Sequence, residues 1–341
     1  MNSEAAGGVF MNQLCDAVLV AGSANVDFVA RAAHVPGPGE TILGRDFAIF
    51  PGGKGANQAV ACARAGGVPT RMLLALGEDV FAPLVEESLR RAGVHLHIVR
   101  VPQHSTGAAL ICVGDDAENA ITVAPGANWM LRAMDLPDLE GVKYLLLQLE
   151  IPLGTVIDIA RAAKATGIIV VLNAAPAQPL ADELLDIIDI LIVNEDELTT
   201  VAGHGGSVAQ RLESIKVPCA IVTLGSRGCC ARAMGEFFLQ PSFSVASVDT
   251  TAAGDTFCGV LVASLRSQAA LPQALRRATA AAALATTRLG AQSSIPTYEE
   301  VEALMSSERC TQSDNDALAA QSELTTYCGL QHSRLTPSTR R

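Results

Sequence analysis

At 341 residues, 49% of them hydrophobic, the chain has length enough for one large α/β domain or two smaller ones, and ample apolar material for a core. A formal net charge of −11 excludes a sequence-independent nucleic-acid binder, which needs a basic surface to displace counterions. No apolar run reaches membrane-spanning length and no basic segment leads an apolar one at the N-terminus, so neither a membrane nor a secretory route is expected.

Met1–Asn12 is small and polar and reads as a flexible extension. Asp16–Gly22 holds a buried strand, Ala17-Val-Leu-Val20, that runs into a Gly-Ser turn. There, Gly22-Ser-Ala-Asn-Val-Asp27 puts Asn25 and Asp27 two residues apart on an extended segment, so their side chains point the same way. That spacing suits two contacts on one polyol, and equally a turn-forming Asn and Asp. Asn25–Phe50 alternates loosely around Pro36-Gly-Pro-Gly39, as Ala108–Val123 does around a Gly-Asp-Asp turn at 114–116. Both are read as antiparallel strands outside the main sheet, a small β-lid over about 25–50 and 108–123; ordinary edge hairpins are the alternative.

Pro51-Gly-Gly-Lys-Gly-Ala-Asn-Gln58 precedes a helical run, Ala59–Ala65. It is not a Walker A loop, because no Gly-Lys-Ser/Thr follows the glycines at the right spacing. Gly52 and Gly53 suit a hinge, and Lys54 and Asn57 offer donors suited to sugar hydroxyls. Nearly continuous apolar runs then recur at Met72–Leu76, Tyr144–Leu149, Ile168–Leu172, Ile187–Val193 and Ala220–Leu224, the pattern of parallel strands buried on both faces. Helical periodicity fills Val80–Ala92, Leu153–Ala165 and Leu275–Arg288. The alternation predicts an α/β fold with a doubly wound, mostly parallel central sheet flanked by helices.

Glu150 ends one strand, and Asn194-Glu-Asp-Glu197 follows another at a carboxyl edge, where such sheets bind ligands. The acids there suit Mg²⁺ held through water, or simply an acid-rich helix N-terminus. Thr223-Leu-Gly-Ser-Arg-Gly228 reads as a tight turn near a nucleotide. The strongest local signal is Asp249-Thr-Thr-Ala-Ala-Gly-Asp-Thr-Phe257, a turn of small residues leading into the amphipathic run Phe257–Leu265. Its unpaired N–H groups and helix dipole form a site for a phosphoryl group. Asp255 at its mouth is either a base for an attacking hydroxyl or a helix cap. From about Ser306 the chain is rich in Ser, Thr, Gln and Asn, and 306–341 reads as a disordered tail. The nine cysteines, at 15, 62, 112, 219, 229, 230, 258, 310 and 328, include no CxxC pair and read as reduced thiols. The six His and Trp129 show no metal-ligand spacing.

Taken together these segments resemble the ribokinase branch of the PfkB family of sugar kinases, from about Ala17 to Pro296. Gly52-Gly-Lys-Gly-Ala-Asn-Gln-Ala59 is similar to the family's N-terminal signature, and Asp249–Phe257 to its C-terminal one. Gln148-Leu-Glu150, Asn173-Ala-Ala-Pro-Ala177 and Thr223–Gly228 are similar to that branch in particular. The resemblance implies a kinase domain over 13–305 with the ribokinase-like fold, and transfer of the γ-phosphoryl of ATP to O5 of D-ribose. It implies Asp255 as catalytic base, with Ala252, Ala253 and Gly254 sharing an anion hole with the Asp255 backbone. Ribose falls to Asn25, Asp27, Gly53, Lys54, Gly55, Asn57, Glu150 and Asp255. The nucleotide falls to Asn194, Thr223, Gly225, Ser226, Gly228 and Gly254, with Glu197 ordering Mg²⁺. It also implies an activating K⁺ beside the hole, with Asp249 and Thr251 on one side and Ala285, Arg288, Gly290 and Ser294 on the other. Thr279 stands where related enzymes often carry His or Asn near the adenine. A homodimer through the lid and a cytoplasmic setting, extending to the nucleus, follow as expectations. Rival readings are another acceptor (2-deoxyribose, fructose or a nucleoside) and a non-catalytic sugar or nucleotide sensor.

Overall fold

The computed structural model describes residues 16–115, 119–311 and 314–330. The Met1–Asn12 extension, Asp116 of the expected turn and 331–341 lie outside them. β1 (Ala17–Ala21) is Ala-Val-Leu-Val-Ala and fully buried, so it can only be an inner strand covered on both faces. The chain leaves its carboxyl end into β2 (Asn25–Arg31) and β3 (Asp46–Gly52), then α1 (Lys54–Val60), which continues into a π-helical turn over Ala61–Ala65. β4 (Thr70–Leu76), α2 (Ala82–Arg91) and β5 (His95–Arg100) follow, then β6 (Gly107–Val113) and β7 (Asn119–Ala124). β8 (Val142–Leu147), α3 (Leu153–Ala165), β9 (Ile169–Asn173), α4 (Asp182–Leu185), β10 (Ile190–Val193), α5 (Glu195–Ala202), α6 (Val208–Ser214) and β11 (Cys219–Thr223) continue the alternation. β12 (Gly228–Ala233) and β13 (Glu236–Pro241) form a hairpin before α7 (Ala253–Arg266), α8 (Leu271–Ala285), α9 (Tyr298–Thr311) and α10 (Asp314–Cys328).

The central sheet runs β13-β12-β11-β10-β9-β8-β1-β4-β5. It is parallel from β5 to β11, and antiparallel only where β12 and β13 close one edge. Two apolar cores cover its faces. One takes α1, α2, α7 and α8 with alternate residues such as Val18, Val20, Met72 and Leu146. The other takes α3, α5 and α6 with Leu19, Leu73, Leu145 and Leu147. From β1 the chain winds to β4 and β5 on one side and to β8 and beyond on the other, so the carboxyl end of β1 is a topological switch point, where open α/β sheets open a crevice.

The second sheet, β3-β2-β6-β7, is the expected lid. It is antiparallel at β2–β3 and β6–β7, but β2 and β6 pair in parallel. Both leave the carboxyl side of parallel strands, β1 and β5, so they must run the same way. Asp79 ties this lid to the body. It accepts from the amides of Phe81 and Ala82 at the start of α2, both at 3.0 Å, and from Thr106 N–H (2.6 Å) and Oγ1–H (2.9 Å) at the foot of β6. Burial alone would raise its pKa, but these donors hold the carboxyl below its ordinary range.

The reading of 306–341 as disordered is corrected where the structure describes it. α9 runs to Thr311, and α10 is helical with Leu324, Thr325 and Cys328 buried. Leu324 and Cys328 join the second core, and α10 packs on β13 and α6. Such a narrow stripe in a polar helix leaves almost no period to read. The expected strand at 187–193 begins only at Ile190, because Ile187 N–H still bonds back to Leu184 O (3.2 Å) after α4.

Candidate active site

The segments singled out in the sequence meet in the crevice at the switch point. Ser23, just past β1, donates to Glu150 Oε2 (2.6 Å) beyond β8, and the Lys54 amide donates to the same oxygen (3.1 Å). α1 therefore begins against the ends of both strands. Gly53 before it has φ 90°, and a Cβ there would lie 2.7 Å from the Asn25 amide nitrogen. Only glycine permits that turn and that approach. Asn25 is held by Asn128, whose Nδ2 donates to Asn25 Oδ1 (2.7 Å) and whose Oδ1 accepts from the Ala24 amide (3.0 Å). The amide of Asn25 is thereby oriented with its own NH₂ left to donate.

Asp255 lies in the first turn of α7 and is buried. Asn57 Nδ2 donates to its Oδ2 (2.9 Å) and Gln58 Nε2 to its Oδ1 (3.0 Å). Gln58 Nε2 is also 3.0 Å from Asn173 Oδ1, and Gln148 Nε2 donates to Gln58 Oε1 (2.7 Å). A buried amide network thus grips the carboxylate from α1, β8 and β9. It leaves Asn57 Oδ1 buried and unpaired among the described residues. Such an acceptor stabilises the fold only when a ligand hydroxyl meets it. So the capping alternative for Asp255 fails: its oxygens accept from α1, not from its own helix.

Burial raises the Asp255 pKa, against the opposing pull of Lys54, Asn57 and Gln58. Burial likewise lowers Lys54, but Asp255, Glu150 and Glu197 together overcome it and hold the ammonium above its ordinary value. Asp27 is pushed up to about 7 by burial, then by Glu150 and Asp255. With Lys54 as the cation among these acids, the crevice favours holding a proton.

The helix start beside Asp255 is built for an anion. Ala252 sits at φ 58°, a left-handed conformation costly for alanine, and turns the chain into α7. Ala253 N–H bonds to Thr250 O (3.2 Å) and Thr256 N–H to Ala252 O (2.8 Å). Among the described residues no backbone carbonyl accepts from Gly254 or Asp255. Their amides point out of the helix end with its positive dipole.

The other predicted residues divide. Asn194 and Glu197 close a reciprocal cap on α5: Glu197 N–H donates to Asn194 Oδ1 (2.8 Å), and Asn194 N–H donates to Glu197 Oε2 (2.8 Å). Glu197 is nonetheless within electrostatic reach of Lys54 and Asp255, and burial raises its pKa. Thr223 ends β11, Gly225 and Ser226 follow it and Gly228 opens β12; β11 is adjacent to β10 and so to Asn194. Gly228 has φ 106°, and a Cβ there would meet Gln240 O at 2.0 Å. The Thr279 hydroxyl donates to Leu275 O of its own helix (2.8 Å) and sits 3.7 Å from Cys229 Sγ. Asp249 Oδ1 accepts from Thr251 N–H (2.9 Å) and Oγ1–H (2.6 Å), and its Oδ2 from Gly290 N–H (3.0 Å), which joins the two expected halves of a cation loop. Arg288 is turned to Glu300, so only its carbonyl remains for that loop, as for buried Ala285 and for Ser294, whose hydroxyl bonds Ala291 O (2.8 Å).

Sequence reasoning assigned no role to Ser23, Gln58, Asn128, Gln148 or Asn173. Four of them, Ser23, Gln58, Gln148 and Asn173, stood inside motifs it quoted, and for the three amides a polar side chain amid buried apolar residues was the available signal. Asn128 gave none. What lets Gln58 reach Asp255 is Gly259, one turn further along α7: a Cβ there would lie 2.6 Å from Ala61 Cβ and from Gln58 O. Gly259→Ala should push α1 off α7, destabilise the fold by about 1–3 kcal/mol, and lower turnover through Asn57 and Gln58. Denaturant midpoints and steady-state rates check this; unchanged turnover would separate helix contact from carboxylate placement.

Comparison with known proteins gives a consistent set. The model of the pfkB family carbohydrate kinase matches residues 16–298. A ribokinase of Haemophilus influenzae is 40% identical over 295 residues, 82% of this chain and 95% of its own. A ribokinase structure from Thermotoga maritima superposes with a TM-score of 0.79 at 38% identity, covering 85% of this chain and 99% of that one. Arabidopsis thaliana ribokinase complexed with ribose and ATP superposes at 0.77 with 33% identity, covering 85% and 99%. No helix among the described residues is long and apolar enough to cross a membrane.

Proposed function

This chain belongs to the pfkB family of carbohydrate kinases and is an ATP-dependent sugar phosphotransferase, and we propose that it moves the γ-phosphoryl group of ATP onto O5 of D-ribose. The observation that carries this reading is Asp255: a buried carboxylate gripped through both oxygens, beside the outward amides of Gly254 and Asp255. Ribose lies under the lid on Asn25, Asp27, Gly53, Lys54, Gly55, Asn57 and Glu150. The unpaired Asn57 Oδ1 and the oriented Asn25 amide support a ligand rich in hydroxyls. ATP lies along the carboxyl edge on Asn194 and Thr223–Gly228, with Thr279 contributing packing near the base. Asp255 takes the O5 proton as the in-line attack proceeds. The outward amides of Gly254 and Asp255, with that of Ala252, meet the charge on the transferred group, while the Ala253 amide is taken by Thr250 O, and the lid keeps water from competing as acceptor.

Among the described residues no cluster of three His, Cys, Asp or Glu side chains forms a metal cage. The donor set fits Mg²⁺ carried on the nucleotide phosphates, with Glu197 ordering its waters. Bound there, Mg²⁺ neutralises phosphate charge. The Asp249 carboxylate and the carbonyls of Thr251, Ala285, Arg288, Gly290 and Ser294 form an all-oxygen set suited to K⁺, whose charge would steady the loop before α7. Phe47, Ile49, Leu110, Ile121 and Val123 are exposed on the lid, an apolar surface that supports a lid-to-lid homodimer. Leu110→Glu should convert a dimer to monomers by light scattering; a dimer that persists excludes this contact. The free cysteines Cys62, Cys229 and Cys258 are buried, with burial pushing each thiol up, which supports a reducing compartment: the cytoplasm and, with it, the nucleus.

An ADP-release assay over ribose, 2-deoxyribose, fructose and nucleosides, with and without K⁺, tests the whole reading. The expected result is the highest kcat/KM for ribose, raised by K⁺, because an unpaired polar group penalises the wrong sugar. Equal rates on nucleosides would overturn the acceptor, and no ADP release with any sugar would leave only the sensor.

A further inference from the structure

α10 lies beyond the residues 16–298 matched by the family model. Its last turn is nevertheless fixed against the nucleotide loops. Leu324, Thr325 and Cys328 are buried, as is Leu330 beyond it. Gly329, at φ 72°, passes so close to Ser207 that a Cβ would lie 2.4 Å from the serine Cβ. Cys328 lies beside Cys230 on β12 and raises the pKa of that thiol. These contacts seat the helix end on α6, β12 and β13.

From that seat Tyr327 faces two residues of the nucleotide loops at once. Its hydroxyl donates to Glu195 Oε1, and the Arg227 guanidinium lies 4.0 Å from its ring centroid. Arg227 Nη1 is in turn 3.6 Å from Glu195 Oε2. Glu195 opens α5 directly after Asn194, and Arg227 belongs to the Thr223–Gly228 turn. The three side chains form a closed triangle: a carboxylate that would repel a polyphosphate is neutralised, and a long, half-exposed arginine is held in one place. Left alone, such an exposed ion pair would be loose and largely screened; the tyrosine ring and hydroxyl fix its geometry.

We infer that Tyr327 is a positioning residue for the nucleotide site: the C-terminal helix holds the Arg227–Glu195 pair so that the 223–228 turn is set for ATP. This rests on the proposed kinase reading and adds to it a link between a segment outside the family match and nucleotide affinity. The sugar contacts proposed above come from α1, the lid and the ends of β1 and β8, elements other than those that carry this triangle.

The test is calorimetric binding of ATP without sugar, alongside steady-state kinetics, for the full chain and for Tyr327→Ala and Tyr327→Phe. The alanine variant should weaken ATP binding and raise its KM by about 5–30-fold, with ribose KM and kcat within about twofold. The phenylalanine variant keeps the ring on Arg227 and should fall between. ATP affinity unchanged in both variants overturns the inference. So does a loss in which both substrate KM values and the melting temperature move together, the mark of a merely structural helix. A wild-type protein that binds ATP but phosphorylates no sugar sinks the kinase reading while leaving the ATP measurement, and thus this inference, decidable.

Discussion

Asp255→Ala is expected to lower kcat by about 10²–10⁴-fold while the dissociation constant for ribose stays within about threefold. Among the described residues the carboxylate receives hydrogen bonds only from Asn57 and Gln58, so its removal leaves two donors facing a small void rather than disordering the lid or the strand ends. The sugar contacts assigned to Asn25, Asp27, Lys54 and Glu150 come from other elements and survive. What disappears is the acceptor for the O5 proton, a function exercised only as the phosphorus–oxygen bond forms. Asp255→Asn is the less clean variant. Both neighbours donate, so an asparagine must aim its own NH₂ at one of them, and a buried donor facing a donor costs about 1–3 kcal/mol. It should therefore lose turnover and some stability together. In the wild type, burial raises the Asp255 pKa, so the acid limb of kcat/KM should lie above the ordinary carboxylate range. Calorimetry with ribose beside ADP release separates the effects; an alanine variant retaining turnover within about tenfold of wild type removes Asp255 from the role of base.

The sequence was most legible where chemistry and periodicity are local. The buried strands announced themselves as unbroken runs of Val, Ile and Leu, and β1 stands where Ala17–Val20 predicted it. The glycine-rich turn before Asp255 spoke of amides open to an anion, and those of Gly254 and Asp255 are. Asn25 and Asp27, two apart on a strand, do share a side of β2. Long-range geometry was not legible. That Gln58 would grip Asp255 depends on a close helix crossing at Gly259, and neither residue type encodes its partner across 197 residues of chain. β5 alternates weakly and lies at a sheet edge, so its burial pattern lacks the continuity that marks its neighbours. α10 was missed because its buried stripe is only a few residues wide. The acids of Asn194–Glu197 were ambiguous for a physical reason: Glu197 caps α5 and also sits within electrostatic reach of Lys54, so an acid-rich helix start and an acid turned to the crevice share one sequence pattern.

The second large effect concerns stability. Asp27→Asn should make the sugar-free protein more stable at pH 8 and flatten its dependence on pH. Asp27 is held at about 7 in the folded chain by burial and by the charges of Glu150 and Asp255, against an ordinary value of 3.8. The folded state therefore keeps a proton that the unfolded chain has already released. Its contribution to stability is complete below pH 3.8 and is lost as pH rises through about 7. At 1.36 kcal/mol per unit the whole span amounts to about 4 kcal/mol. Asparagine is isosteric and uncharged, and fits the same space against Gly52, where a Cβ would lie 2.0 Å from the Asp27 carboxylate. It removes this term entirely. Wild type should thus lose stability steadily from about pH 4 to 7 relative to the variant, in urea or heat, and level off above that. The reverse holds for function: a carboxylate accepts from two ribose hydroxyls where the amide can accept at only one oxygen, so ribose affinity should fall about 10–100-fold. Added ribose should then stabilise wild type more than the variant. Parallel pH profiles for the two proteins would show that Asp27 is already ionised at neutral pH without sugar. The charge penalty of the crevice would then have to fall on Asp255 instead.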